Sequence, residues 1–309
     1  MTSASASGKI ILLGEHAVVY GRPALAVPII QVHAQVEVHG SSRPGIWIEA
    51  QDIHLRSALA DLAREQPIAA VVRNTLDLLQ LSAVPPLEIL IRSSIPIAAG
   101  MGSGAAISVA VIRALAGYLH QPIKDEQVSK LAYEIEKLHH GTPSGIDNTV
   151  ITYALPVYYM KGKPVEILHP GGSFTLLIGD TGISAPTKVS VADVRHLWES
   201  DQQKWDLVFD RIGELASAAR SSILNAYWEE LGSLMDQNHD LLQQLTVSSA
   251  ELDGLVRAAR YSGALGAKLS GGGRGGNMIA LVPNEKVDVV SHALLSAGAK
   301  QVILTSIHP

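Results

Sequence analysis

Residues 95–119 read IPIAAGMGSGAAISVAVIRALAGYL, and their types suit the binding of an anion. Pro96 ends an extended segment. A run of small residues follows: Ala98, Ala99, Gly100, Gly102, Ser103, Gly104, Ala105 and Ala106, with Met101 among them. Ile107, Val111, Leu115 and Leu119 then recur at one helical turn. Such a loop lets backbone N–H groups approach an anion closely, and the helix N-terminus adds about half a positive charge. The stretch is a candidate phosphate cradle. It is not a Walker loop, because Ala105 stands where that motif needs a lysine. Nor does an acidic residue follow at the dinucleotide-binding distance. A tight turn whose glycines serve close packing is an equal alternative.

Three further stretches carry polar groups in unusual company. Glu15 and His16 lie in a turn between the apolar runs Ile10–Leu13 and Ala24–Ile30, closed by Gly14 and Gly21. The turn is read as displaying both side chains, either to a ligand or to solvent, and Lys9 precedes the first run. Val128, Leu131, Ile135 and Leu138 form a helical stripe that Gly141 and Pro143 end. Glu136 is read at the edge of its buried face, about 100° from the centre line. Gly141–Asn148 then reads as a turn holding Ser144, Gly145 and Asp147, ahead of a strand-like Thr149–Tyr153. Turn chemistry alone could explain Asp147. The last stretch, KLSGGGRGGN at 268–277, contains Ser270 and Gly271 in a bare glycine loop. A strand follows it and no clear strand precedes it, so the dinucleotide-binding reading fails on context.

The elements that must position these groups are mixed. Gln35–His39 and Ile46–Glu49 read as a hairpin broken at 41–45, and Leu55–Leu79 carries helical spacing interrupted by Pro67. Leu87–Ile91 reads as the strand feeding the first glycine loop. Beyond residue 172 a strand, 174–179, precedes helices at 193–218, 225–245 and 249–261. Strands at 278–282 and 301–307 flank a helix at 284–297. The 309 residues suffice for one large or two medium domains, and a net charge of −5 argues against a nucleic-acid partner. The absence of cysteine excludes disulfides, zinc–thiolate sites and thiol catalysis. MTSASASGK lacks the apolar core of a signal peptide, and no apolar run is long enough to span a bilayer, so a soluble, cytoplasmic protein is expected.

Taken together, SASGKIILLGEHAVVYG, PIAAGMGSGAA and KLSGGGRGG resemble the three motifs of the GHMP kinases. HGTPSGIDN and LMDQNHDLLQQLTVSSAELDGLVRAAR bring the chain closest to the mevalonate kinase branch, with a likeness running from Ser5 to Val282. The resemblance implies a two-domain α+β fold: a ribosomal-protein-S5-like domain over 1–172, a ferredoxin-like domain over 173–309, and the active site between them. It implies ATP and Mg²⁺ as cofactors and the 5-hydroxyl of mevalonate as acceptor. By the same resemblance, Pro96 and Ala99–Ala105 hold the triphosphate, with Ser270 and Gly271 closing over it. Glu136 and a hydroxyl of the second motif hold the metal. Asp147 is the base, Lys9 keeps it ionised, and Glu15, His16, Ser144 and Gly145 line the acceptor pocket. A small-molecule substrate is thus the partner, with neither nucleic acid nor membrane, and a homodimer is compatible.

Two positions depart from the family pattern. The second of the usual paired serines, the metal ligand, is Gly104 here, so Ser103 or water must take that place. Ser7 stands where the first motif usually has proline. The competing readings are a kinase or decarboxylase acting on a phosphorylated relative of the acceptor, and a binding homologue without catalysis. GEHAVVYG weighs against the former. Lys9, Glu136 and Asp147 together weigh against the latter.

Overall fold

The structure is a computed structural model that describes residues 1–81, 83–96, 100–140, 143–184 and 186–309, without the side chains of His139 and His140. The chain folds into two compact units. The first comprises Met1–Lys9, Pro28–Pro96 and Gly102–Ala154; the second comprises Ile10–Val27, Leu155–Pro309 and a short piece ending at Met101. The units therefore part after Ala154 rather than at 172, and they are not a simple N-terminal and C-terminal half. Two long strands, β1 (Thr2–Leu13) and β2 (Ala24–Gly40), run through both, which no single cut in the sequence can express.

In the first unit β2 alternates buried Ala34, Val36 and Val38 with Gln35, Glu37 and His39 on its other face. The expected hairpin between β2 and β3 (Ile46–Ala50) does not form. Strand β5 (Leu87–Ser93) lies between them, antiparallel to β2 and parallel to β3, with Val36 opposite Ile91 and Ile48 opposite Ile89. Alternation identifies a strand's face but not its neighbour, and buried Leu87, Ile89 and Ile91 suit β5 to the interior place. The helix expected from Leu55 starts only at Pro67. Leu55–Ala58 is strand β4 and pairs with β3; Leu59–Asp61 is a single 3₁₀ turn. A proline inside a helix removes a hydrogen bond, whereas at the first helical position it fits, and there it opens α1 (Pro67–Leu79). The Gln66 side chain caps that helix by accepting from Ala69 N–H at 2.7 Å.

Three more helices complete this unit: α2 (Ser103–Tyr118), α3 (Asp125–His140) and α4 (Ile146–Tyr153). Helix α2 packs against α1, α3 and α4, and its alanines keep it buried on most sides. On α3 the buried line is Val128, Ala132, Ile135 and Glu136, while Leu138 is half exposed, so the stripe is rotated and Glu136 lies within it. Helix α4 corrects the strand expected at Thr149–Tyr153. Its β-branched run favours a strand by propensity. Burial of Ile146, Val150 and Ile151 along one helical side outweighs that preference.

The second unit carries the short strands β6 (Val157–Tyr159) and β7 (Glu166–Ile167) and a four-stranded antiparallel sheet in the order β11–β8–β10–β9: Gln301–Ile307, Phe174–Asp180, Asn277–Val282 and Gly266–Ser270. Thus a strand, β9, does precede the third glycine loop. Two helices, α5 (Thr187–Ser200) and α6 (Gln202–Leu224), replace the single one expected over 193–218. The break falls at Asp201, whose carboxylate caps α6 by accepting from Lys204 N–H at 3.1 Å. Helices α7 (Trp228–Gln244), α8 (Ala250–Tyr261) and α9 (Val287–Ser296) follow. Phe209, Ile212, Leu252, Leu255, Met278 and Leu294 fill the core between these helices and the sheet. No helix among the described residues is long and apolar enough to cross a membrane.

Candidate active site

In the first unit, β1 delivers Lys9 and α4 delivers Asp147 to one point. Lys9 is buried, and its Nζ lies 2.8 Å from Asp147 Oδ1; the Asp147 side chain keeps 26% exposure. Asp147 sits in the first turn of α4, where the helix dipole favours a negative charge. That turn opens at buried Gly145, whose φ of 88° suits glycine, with half-buried Ser144 before it. From α3, Glu136 approaches the same pair, and the backbone N–H of Asn148 favours its charged form. Its carboxyl is held well above the ordinary range, first by burial and then by the charge of Asp147, against which Lys9 pulls. Glu136 Oε2 is buried and has no hydrogen-bond partner among the described residues.

Helix α2 begins against this cluster. Gly102 caps it with φ 74°, and a Cβ there would stand 2.8 Å from Ile151 Cδ1 and 3.1 Å from Lys9 Cγ. Only a glycine lets the helix N-terminus lie this close to the lysine stem. Ser103 is the first helical residue and is half buried; buried Ala105 follows two places on. Gly104 is exposed, and among the described residues nothing lies within 4 Å of where its Cβ would be. Pro96 is half buried, Gly100 exposed with φ 72°, and Met101 buried; Ala99 lies outside the described residues.

The donor set fits a magnesium ion. One carboxylate, Asp147, pairs with Lys9, and a second, Glu136, stands near that pair with a buried hard oxygen that has no partner among the described residues. Among those residues no group of three or more His, Asp or Glu side chains could hold a metal. Mg²⁺ keeps several waters and commonly takes one or two carboxylates plus substrate phosphates, which this site can offer.

The second unit buries what the sequence seemed to display. Glu15 and His16 are 1% and 6% exposed. Glu15 Oε1 pairs with the fully buried Lys268, and Oε2 accepts from Asn238 Nδ2 at 3.1 Å, so no free carboxylate is presented. His16 Nε2 lies 3.2 Å from Gly272 O; a carbonyl only accepts, so Nε2 carries the proton. Burial lowers the pKa of His16 to about 4, and burial likewise takes His239 to about 4. Ser270 Oγ donates to Ile11 O at 2.8 Å, and Gly271 has open space at φ 85°. At Gly273 a Cβ would lie only 1.9 Å from Val247 O, so close packing demands that glycine.

Lys268, Asn238 and Asn148 carry no role on the sequence alone. The only signal for Lys268 is a charge inside an apolar strand. The two histidines make stability depend on pH. Each binds a proton in the unfolded chain near pH 6.5 but in the folded chain only near 4, so stability falls as pH drops. Denaturant titrations should lose about 2 kcal/mol per histidine between pH 7 and 5. A flat profile would refute the buried neutral state.

Known proteins resemble this chain in sequence and in fold. Residues 66–154 match the family model for the GHMP kinases N terminal domain, and residues 219–300 match that for the GHMP kinases C terminal. The chain is 37% identical to a mevalonate kinase of Thermococcus sibiricus, over 97% of this chain and 94% of that one. A crystal structure of L. major mevalonate kinase in complex with R-mevalonate superposes with a TM-score of 0.86 at 29% identity, over 100% of this chain and 96% of the other. For Methanococcus jannaschii mevalonate kinase the TM-score is 0.85 at 28% identity, over 98% and 96%. With both family models matched and curated mevalonate kinases aligning along nearly its whole length, the chain belongs to the GHMP kinases, on their mevalonate kinase branch.

Proposed function

We propose that the chain transfers the γ-phosphoryl group of ATP to the 5-hydroxyl of mevalonate, giving 5-phosphomevalonate and ADP. The Lys9–Asp147 pair beside a half-unpartnered Glu136 carries this reading. Lys9 occupies Asp147 Oδ1, which leaves Oδ2 to take the proton of the acceptor hydroxyl. The ammonium also offsets charge on the transferring group, and backbone N–H groups opening α2 receive phosphate oxygens. Glu136 and Ser103 would hold Mg²⁺, which would supply positive charge against that of the transferring phosphoryl group. The proposal keeps His16, Ser144 and Gly145 as acceptor residues and Gly100–Ala105, Ser270 and Gly271 as nucleotide residues. It places the reaction in the cytoplasm.

A coupled assay of ADP release with mevalonate, phosphomevalonate, homoserine and galactose tests it. Turnover of mevalonate alone is expected. Turnover of phosphomevalonate without mevalonate would overturn the assignment.

The metal position yields its own expectation. Open space around Gly104 means that Gly104→Ser fits, and it should leave the magnesium requirement unchanged or lower it. Ser103→Ala should raise that requirement several-fold. Rate is measured against free Mg²⁺ at saturating ATP, and a Ser103→Ala curve matching the parent removes Ser103 from the metal.

A further inference from the structure

Next to the proposed base stands a residue that fastens two catalytic elements together. Asn148 is 5% exposed and makes two kinds of contact with α3. Its backbone N–H faces the Glu136 carboxylate and favours the charged form there. Its side-chain Nδ2 donates to Ser129, to Oγ at 2.8 Å and to the backbone carbonyl at 3.1 Å. The carbonyl can only accept, so the amide orientation is determined: the NH₂ group faces Ser129 and Oδ1 faces away. Ser129 and Glu136 are seven residues apart, two helical turns, and so lie on the same face of α3. Asn148 thus holds that face at Ser129 with its backbone N–H toward Glu136, while its neighbour Asp147 holds Lys9.

We propose that Asn148, anchored on Ser129, is a positioning residue that fixes the first turn of α4 so that Asp147 and Glu136 keep their places around Lys9. It touches no substrate and acts through Asp147 and Glu136, so the inference rests on the proposed role of Asp147. The turn needs such an anchor. The Gly145 cap, with φ 88°, has no side chain of its own, and the Thr149 hydroxyl donates within the helix to Gly145 O at 2.8 Å. The Asn148 amide, by contrast, reaches out of α4 to α3. The same amide is a poor stability device. Its Oδ1 is buried with no partner among the described residues, which offsets what the two Nδ2 bonds contribute. A positional effect is therefore expected to exceed the effect on folding.

The test uses the full chain with Asn148→Ala, Ser129→Ala, their double variant, Asp147→Asn and Asp147→Asn/Asn148→Ala. Melting temperature, kcat and the two KM values are measured for each. Hydrogen exchange of a peptide spanning the start of α4 is followed without nucleotide or metal. Asn148→Ala should lower kcat about 10–100-fold, leave KM for ATP within about threefold, and speed exchange at the start of α4 at least tenfold. Ser129→Ala should do the same more weakly, and it should add nothing in the Asn148→Ala background. Asn148→Ala should also add nothing once Asp147 is Asn.

A lowered melting temperature with unchanged kcat and exchange would make Asn148 merely structural and overturn the proposal. So would additive effects of Ser129→Ala and Asn148→Ala. If Asn148→Ala fails to fold, Ser129→Ala decides alone by the same split of kcat from KM. A slow Asp147→Asn beside a normal Asn148→Ala defeats this inference and spares the base. A normal Asp147→Asn defeats both.

Discussion

Asp147→Asn should lower kcat by about 10²–10⁴-fold, the usual share of a general base. Asparagine has nearly the same shape, so the start of α4 and the neighbouring Gly145 cap should survive the change. What is lost is the proposed proton acceptor and the charge that Lys9 meets at 2.8 Å. The backbone groups opening α2 are untouched, so KM for ATP should stay within a fewfold of the parent. Because Lys9 is buried, losing its counter-charge leaves an ammonium in a poorly solvated place, and some loss of thermal stability is expected as well. The two effects separate by measuring kcat at a temperature well below the melting transition. Turnover near that of the parent would remove Asp147 from the chemistry.

Glu136→Gln should be nearly as damaging to activity, lowering the rate by about 100-fold or more at fixed Mg²⁺ through loss of the proposed anionic ligand. Its effect on stability should have the opposite sign. In the ligand-free protein, burial and the charge of Asp147 disfavour the Glu136 carboxylate, and Oε2 meets no partner among the described residues. An uncharged amide relieves the repulsion, so the melting temperature of the apo protein should rise by a few degrees, as for other strained functional sites. Differential scanning calorimetry without metal or nucleotide reads this directly. Activity lost together with melting temperature would mean that Glu136 serves the fold.

Much of the site is legible in the sequence because its parts are local. Gly102 and Gly145 show there as glycines, and in the structure each adopts the positive φ that suits it. The helix after the first glycine loop follows from the spacing of its apolar residues. Less legible is whatever depends on a helix's exact rotation. A stripe drawn on α3 through Leu138, which is half exposed, puts Glu136 at an edge that it does not occupy. Periodicity cannot distinguish a stripe centred on Ile135 from one turned toward residue 136, because both pack apolar residues inward. Likewise the Thr149–Tyr153 run has strand-forming side chains, and its helix exists through burial in this unit.

The sequence by itself determined the glycine loops, most of the helices and strands, the absence of thiol chemistry, and the family likeness that assigned roles to Lys9, Glu136 and Asp147. These rest on short-range properties: which residues tolerate a given φ, which side chains repeat at 3.6 or 2, and which motifs lie along the chain. The tertiary structure decided the partners. It placed Lys9 on Asp147, gave Glu15 to Lys268 rather than to solvent, inserted β5 between β2 and β3, and fastened Asn148 to Ser129. Each of these joins groups that the chain keeps apart. They are stabilised by removing apolar surface from water and by pairing the charges and polar groups buried with it in one specific packing, which no local pattern encodes.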